Sequence, residues 1–250
     1  MNESCLIISS CIYPFSSFVE LKDPKERESL HILALKRWIN ESNFESIIIC
    51  DNSSYVYSEE FVALAHSKNK QLEVLSFKAD HKKGLKYGKG YGEGELMKYI
   101  METSQTIKKY DSFFKVTGKL FVENSRSIKN IVKISDTDFI FAIPIINILS
   151  KRKISLIHTT FYYARVESFR LHLLDAFLKV RDNEGIYLEH VYFDSLKKLK
   201  TNNKASIRPM IPMPLVTGVS GSTGDFYYSR NVIKEKIINI LIPTFLIKKI

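Results

Sequence analysis

Four short segments of this 250-residue chain carry side chains suited to handling an anion. The first, "DSFFKVTGKLFVEN" over residues 111–124, is an apolar run of strand character that ends in Thr117-Gly118-Lys119. A lysine on a strand end offers a compact, fixed ammonium, and Lys115 within the run offers a second. The next is "GLKYGKGYGEG", where glycine-exposed backbone N–H groups, with Lys86 and Lys89, suit phosphate oxygens. Its candidate contacts are Lys89, Gly90 and Glu93, and an unliganded surface loop is the competing reading. It is not a dinucleotide fingerprint, because it does not directly follow a strand. In "TGVSGSTGDFYYSR", three glycines and four hydroxyls fall within eight residues close to an arginine. Ser220, Ser222, Thr223 and Arg230 are the donors there, with an ordinary loop as the alternative. Last, Asp51 and Ser53 of "DNSS" follow an apolar run and suit a base or ribose, or serve as a good turn.

The rest of the composition agrees with an anionic partner without naming one. A formal charge of +10 suits nucleic acid, an acidic membrane or a phosphorylated substrate. Apolar residues make up 45%, with 16 Phe and 13 Tyr, which excludes a disordered chain. The length suits one large domain or two small ones. Cys5, Cys11 and Cys50 show no CxxC or Cys/His metal spacing and read as buried thiols in a reducing compartment. "MNESCLIISS" lacks the basic region and long apolar core of a signal peptide. No run of eighteen apolar residues is present to span a membrane, and a cytoplasmic location is the expectation.

The elements that must position these residues alternate. "CLIISSCIY" reads as a first strand, and Asp23-Pro24 starts a helix with Leu30, Leu33, Ala34 and Ile39 on one face. "IIIC" is the continuous apolar run of a central parallel strand. There follow a helix "SEEFVALAHSK", a strand "LEVLSFK", a Lys/Gly/Tyr-rich loop over 78–94, and a helix "ELMKYIMETSQTIKKY". "DSFFKV" is a fourth strand and "TDFIFAIPI" a fifth. "HTTFYYARVESF…" supplies a strand and two helices with Gly185 in the turn, and "NVIKEKIINILIPTFLIKKI" a last helix. Alternation of this kind predicts an α/β chain with a mainly parallel sheet flanked by helices. Ligands bind such sheets beyond the C-terminal strand ends, so the turns after Ser10, Cys50 and Val116 converge on one cleft.

In this order and spacing, "IIICDNSS", "GKGYGEGELMKYI" and "DSFFKV" resemble the nucleotide-sugar half of a GT-A glycosyltransferase. The resemblance covers about residues 4–124 and is weaker beyond. It implies one GT-A-like (Rossmann-like) domain over 1–250, with an acceptor and catalytic half over about 125–230 and a basic amphipathic helix over 231–250. It also implies donor contacts from Asp51, Ser53, Lys89, Gly90, Glu93, Lys115, Thr117, Gly118, Lys119, Ser220, Ser222, Thr223 and Arg230. The chain departs from the family where Asp-x-Asp would hold Mg²⁺ or Mn²⁺ against the donor diphosphate, because Thr117-Gly118-Lys119 stands there. The reading is that Lys119, helped by Lys115, replaces the metal as the leaving group gains charge. No tightly bound cofactor and no required metal are expected.

An inverting transferase needs a carboxylate to take the acceptor proton, and the resemblance assigns this to Glu189 in "GIYLEHVYFDSL", against a capping or salt-bridged role. Retention stays open. Phe161, Tyr162 and Tyr163 read as core first and acceptor platform second. The implied function is transfer of a sugar, of hexosyl type, from a nucleotide donor to a glycan or lipid-linked hydroxyl in bacterial surface-polysaccharide synthesis. Lys234, Lys236, Lys248 and Lys249 around an apolar centre suit the inner membrane surface, a homodimer partner or the chain's own core. The alternatives are a nucleic-acid-binding module, for which no RNA-recognition, KH or zinc-finger signature appears, and a sugar-phosphate nucleotidyltransferase, whose Gly-rich signature is missing after the first strand.

Overall fold

Every side chain of β1 (Ser4–Ser10) and of β2 (Ser46–Asp51) is buried. Strands covered on both faces lie at the centre of a helix-flanked sheet, which is why they read as unbroken apolar runs. Alternate residues feed two cores. Cys5, Ile7, Ile48, Cys50 and Phe113 point to one side. Leu6, Ile8, Ile47, Ile49 and Phe114 point to the other.

The computed structural model describes residues 4–14, 20–21, 23–133, 136–143, 155–220, 224 and 226–227. Its further strands are β3 (Gln71–Ser76), β4 (Ser112–Thr117), β5 (Leu120–Val122), β6 (Phe139–Ala142), β7 (His158–Arg165), β8 (Ile207–Pro209) and β9 (Val216–Gly218). Seven of the nine described strands form one sheet in the order β3-β2-β1-β4-β7-β6-β8. Neighbours are parallel except at β7, which runs against both β4 and β6. The expected α/β class, with a mainly parallel sheet flanked by helices, is the observed one. The small β5–β9 ladder pairs Leu120 with Gly218 and Val122 with Val216. It carries the C-terminal hydroxyl-rich segment to the chain just after Lys119.

Two helices differ from expectation, for different reasons. Helix α1 (Pro24–Glu41) starts where predicted, with the Asp23 carboxylate accepting from the N–H groups of Lys25 and Glu26 at 2.8 and 3.3 Å. Its buried face, however, is Arg27, His31, Ala34, Leu35, Trp38 and Ile39, while Leu33 is exposed. Two polar residues occupy core-facing positions that a hydropathy reading passes over.

The Lys/Gly/Tyr-rich stretch is not a loop. After α2 (Glu59–Ser67), it folds as α3 (His81–Tyr87) and α4 (Lys89–Thr103), separated by Gly88 at φ +98°. Asp80 caps α3 through the N–H groups of Lys82 and Lys83, and the glycines of α4 serve close approach. A Cβ on Gly94 would lie 2.1 Å from the Phe177 Cβ. One on Gly88 would lie 2.2 Å from an Asp182 oxygen, so packing overrides the weak helix propensity.

The second half adds α5 (Ser125–Lys133), α6 (Val166–His172), two 3₁₀ turns and α7 (Leu188–Thr201), with Gly185 at φ +75° before α7. No helix among the described residues is long and apolar enough to cross a membrane. Residues 231–250, with Lys234, Lys236, Lys248 and Lys249, lie outside the described residues.

Candidate active site

A cavity of about 340 Å³ opens at the C-terminal ends of β1, β2 and β4. One wall is cationic. After β4 the chain turns sharply at Gly118, whose N–H donates to the Ser9 carbonyl at 2.7 Å. A Cβ there would sit 2.6 Å from that carbonyl oxygen and 2.7 Å from the His31 ring, so the turn is closed to any larger residue. The next residue, Lys119, is thereby tucked under α1, 6% exposed, and its side chain lines the cavity. The backbone beyond is anchored by the Trp38 indole N–H donating to the Leu120 carbonyl at 2.8 Å. Among the described residues, none forms a hydrogen bond or ion pair with the Lys119 ammonium. Burial, and then the Arg27 charge, pull its pKa down to about 7.

Arg27 and His31 complete this wall, one helical turn apart on α1. The Arg27 guanidinium donates to the carbonyls of Cys11, Ile12 and Leu21, so its donors are committed to the loop after β1 while its charge stays in place. Burial lowers its pKa, and the neighbouring Cys11 and Asp51 oppose that. His31 donates from Nδ1 to the Arg27 carbonyl at 2.8 Å. Burial and the neighbouring Lys119 push its pKa to about 3, so the ring is neutral with Nε2 unprotonated.

Carboxylates line the same cavity. Glu189, in the first turn of α7, accepts from the Thr159 hydroxyl at 2.8 Å. His158, exposed to solvent, lines the cavity beside it. Asp182 is 3% exposed; the Gly90 N–H donates to its Oδ2 at 3.1 Å, and its Oδ1 has no hydrogen-bond partner among the described residues. Burial raises its pKa, with the Gly90 and Lys89 neighbours opposing. Glu93 lines the cavity and is paired with Lys115, whose ammonium also donates to the Thr159 carbonyl at 3.0 Å and the Thr117 hydroxyl at 3.3 Å.

Of the sequence candidates, Lys89, Gly90, Glu93, Thr117, Lys119, Glu189 and Ser220 line one cavity. Lys115 sits directly behind Glu93 and is fully buried. Asp51 and Ser53 are placed differently. The Asp51 carboxylate accepts from Ser10 Oγ, the Ile12 N–H, Ser53 Oγ and N–H, and the Tyr55 N–H, and so ties the β1 and β2 turns together. Ser53 Oγ also accepts from the Ile12 and Tyr13 N–H groups at 3.1 and 3.0 Å. Asn52 faces the cavity between them, its amide donating to the Gly92 carbonyl at 3.0 Å.

Gly118 is a packing position rather than a lining one, and Gly90 approaches Asp182 from within a helix rather than from a phosphate-wrapping loop. Phe161, Tyr162 and Tyr163 are core. His190 Nδ1 accepts from the Tyr187 N–H and helps cap α7. Ser222, Thr223 and Arg230 lie outside the described residues. Sequence reasoning missed Arg27, His31, Asn52 and Asp182. The first two carried a usable signal, since they lie four apart on the face that continues through Leu35 and Trp38.

A buried ammonium and a hydroxyl-bonded carboxylate that line one small cavity can hold an anionic group and take a proton from a neighbouring hydroxyl. Comparison with protein families finds no match, and comparison with curated proteins finds none either. Solved structures do resemble this one. Core-mannan synthase A of Aspergillus fumigatus, in its Mn/GDP form, superposes with a TM-score of 0.50 at 10% identity, over 94% of this chain and 82% of that one. An active-site mutant of LgtC gives 0.49 at 8% identity, over 82% and 71%. A protein assigned as a nucleotide-diphospho-sugar transferase from Desulfovibrio desulfuricans G20 gives 0.44 at 14% identity, over 84% and 80%. The chain thus has the fold of the nucleotide-sugar glycosyltransferases, with its cavity at the strand ends of that fold.

Proposed function

We propose that the chain is a glycosyltransferase that moves a sugar from a nucleotide-sugar donor to a glycan or lipid-linked hydroxyl in bacterial surface-polysaccharide synthesis. The observation that carries this is the placement of Lys119. It is a buried ammonium, without a partner among the described residues, at the strand end where the fold meets its donor. The Aspergillus structure is a manganese form. Here the strand end offers a hydroxyl, a glycine and an ammonium, and the described residues hold no cluster of three or more His, Cys, Asp or Glu side chains for a metal ion. That donor set does not fit Mg²⁺ or Mn²⁺, which take oxygen ligands.

Charge on the departing diphosphate is then neutralised by Lys119, within the field of Arg27. Ser220 and the Thr117 hydroxyl border the same space and add neutral donors. Glu189, oriented by Thr159, accepts the proton of the attacking hydroxyl, which gives inversion at the anomeric carbon. The second half, about 125–230, supplies this base while the first holds the donor.

A thermal-shift screen of UDP-, GDP-, CMP- and dTDP-sugars, with EDTA and with Mn²⁺, tests the reading. Stabilisation by one donor series in EDTA is expected, and Glu189→Gln should keep that binding while losing transfer by about 10²–10⁴-fold. Binding seen with Mn²⁺ alone would refute the assignment of the charge to Lys119.

A further inference from the structure

Helix α3 supplies no fully buried side chain to the described residues. Asp80 caps it, Gly88 ends it, and its one aromatic ring, Tyr87, packs at 5.0 Å on Tyr91 of α4. Lys82, Leu85 and Lys86 lie three and four residues apart and so share one side of the helix. All three are exposed, Leu85 by 63%. Lys83 is exposed as well and pairs with Asp80 at 3.7 Å. The adjoining segment, residues 178–187, continues this surface. The Arg181 guanidinium lies 4.4 Å over the Tyr87 ring, and its Nη1 donates to the Leu178 carbonyl at 2.9 Å. Leu178, Ile186 and Tyr187 are exposed around it. Single exposed apolar residues are ordinary, but here they gather on two contacting segments among basic side chains. Lys82, Lys83, Lys86, Lys89 and Lys179 outnumber the exposed carboxylates of Asp80 and Glu184, so the surface is positive. It also borders the cavity, which Gly84, Lys89 and Tyr187 line.

We propose that α3 and residues 178–187 form the face by which the chain lies on an anionic lipid bilayer, with Leu85 entering the headgroup–acyl boundary and the lysines meeting lipid phosphates. Two chemistries together select this occupant. Apolar side chains gain by leaving water for the boundary region, and lysines gain from the negative surface potential while staying at headgroup level. A nucleic acid would use the lysines but leave Leu85 and Ile186 in water. The face is separate from residues 231–250, whose lysines the sequence suits to the same kind of surface. It also turns the cavity toward the bilayer. A lipid-linked acceptor then reaches Glu189, two residues beyond Tyr187, from the membrane itself. Only that last step rests on the glycosyl-transfer reading; the membrane contact stands without it.

The test uses the full chain and vesicles of phosphatidylcholine, alone or with about 30% phosphatidylglycerol. Sedimentation should show binding to the anionic vesicles at least about tenfold tighter than to the neutral ones. The triple variant Lys82→Gln, Lys83→Gln, Lys86→Gln should weaken that binding by about 10–10²-fold. Its thermal stability should match the parent's, because the altered side chains are exposed. Depth is read separately. The chain has one tryptophan, Trp38, which is fully buried, so Leu85→Trp places a second indole on the proposed face. Bromine-labelled acyl chains in anionic vesicles should quench the added emission and leave the parent's unchanged. Absence of a preference for anionic vesicles overturns the proposal. So does unchanged binding in the triple variant, or an unquenched Leu85→Trp on vesicles that still bind the chain. Vesicle binding as expected, with no nucleotide bound, would uphold this face and overturn the glycosyl-transfer reading instead.

Discussion

Two buried charges sit at the ends of β2 and β4, the strands on either side of β1, and they are treated in opposite ways. Asp51 closes β2 and is fully enclosed, with five hydrogen bonds from its own and the adjacent turn. Lys119 follows β4 by two residues and is nearly as buried, yet nothing among the described residues shares a hydrogen bond with it. Lys115, in the middle of β4, belongs with Asp51, since Glu93, Thr117 and Thr159 take its three donors. A charge that the chain satisfies by itself builds the site's frame. One that it leaves unsatisfied is available to a ligand, and its cost in the free protein is part of how the ligand is recognised.

The difference predicts a double dissociation. Lys119→Met should show the largest effect, a drop in transfer of about 10²–10³-fold, the range for removing one donor aimed at developing negative charge. The same variant should be as stable as the parent, or more stable by about 1–4 kcal/mol, because an unsatisfied buried cation is replaced by an apolar side chain. Asp51→Ala should do the reverse. It strands several buried N–H and O–H donors and should destabilise by about 3 kcal/mol or more in urea unfolding, with whatever folds retaining donor affinity near the parent's. If both variants lost stability and activity in proportion, the contrast between frame and ligand site would collapse.

A smaller effect comes from pH. Lys119 has a folded pKa of about 7 against an ordinary value of 10.5. Below pH 7 the ammonium is charged in both folded and unfolded chains, and its burial cost is fully present. Between about pH 7 and 10.5 the unfolded chain binds the additional proton, so stability rises with pH through that window. Donor binding moves the other way, because phosphate favours the protonated amine. Affinity should weaken by up to about tenfold per unit above pH 7 in the parent and stay flat in Lys119→Met. Parallel pH profiles in the two proteins would show that Lys119 is not the titrating group.

Much of this contrast was legible in the sequence. Unbroken apolar runs ending in "DNSS" and "TGK" gave the central strands and the edge of the cavity, since a strand buried on both faces has little choice of composition. The direction of β7 was not legible, because strand orientation depends on pairing across the sheet and not on local pattern. Nor was the packing of Gly88, Gly90 and Gly94, whose spacing reads as loop until Asp182 and Phe177 are seen against them. Asp51 looked like a ligand contact for the reason that it is a strong turn former; only its hydrogen bonds show that the turn uses all of it. Asp182 gave no local sign, as its partners lie about 90 residues earlier in the chain.

The most direct test of the central claim is a structure of the protein with intact nucleotide-sugar donor, prepared without divalent metal. The account predicts the Lys119 Nζ within about 3.2 Å of a phosphate oxygen, with the anomeric carbon on the side of Glu189. Phosphates lying away from Lys119, or binding only through a divalent ion held by carboxylates of this cavity, would contradict it.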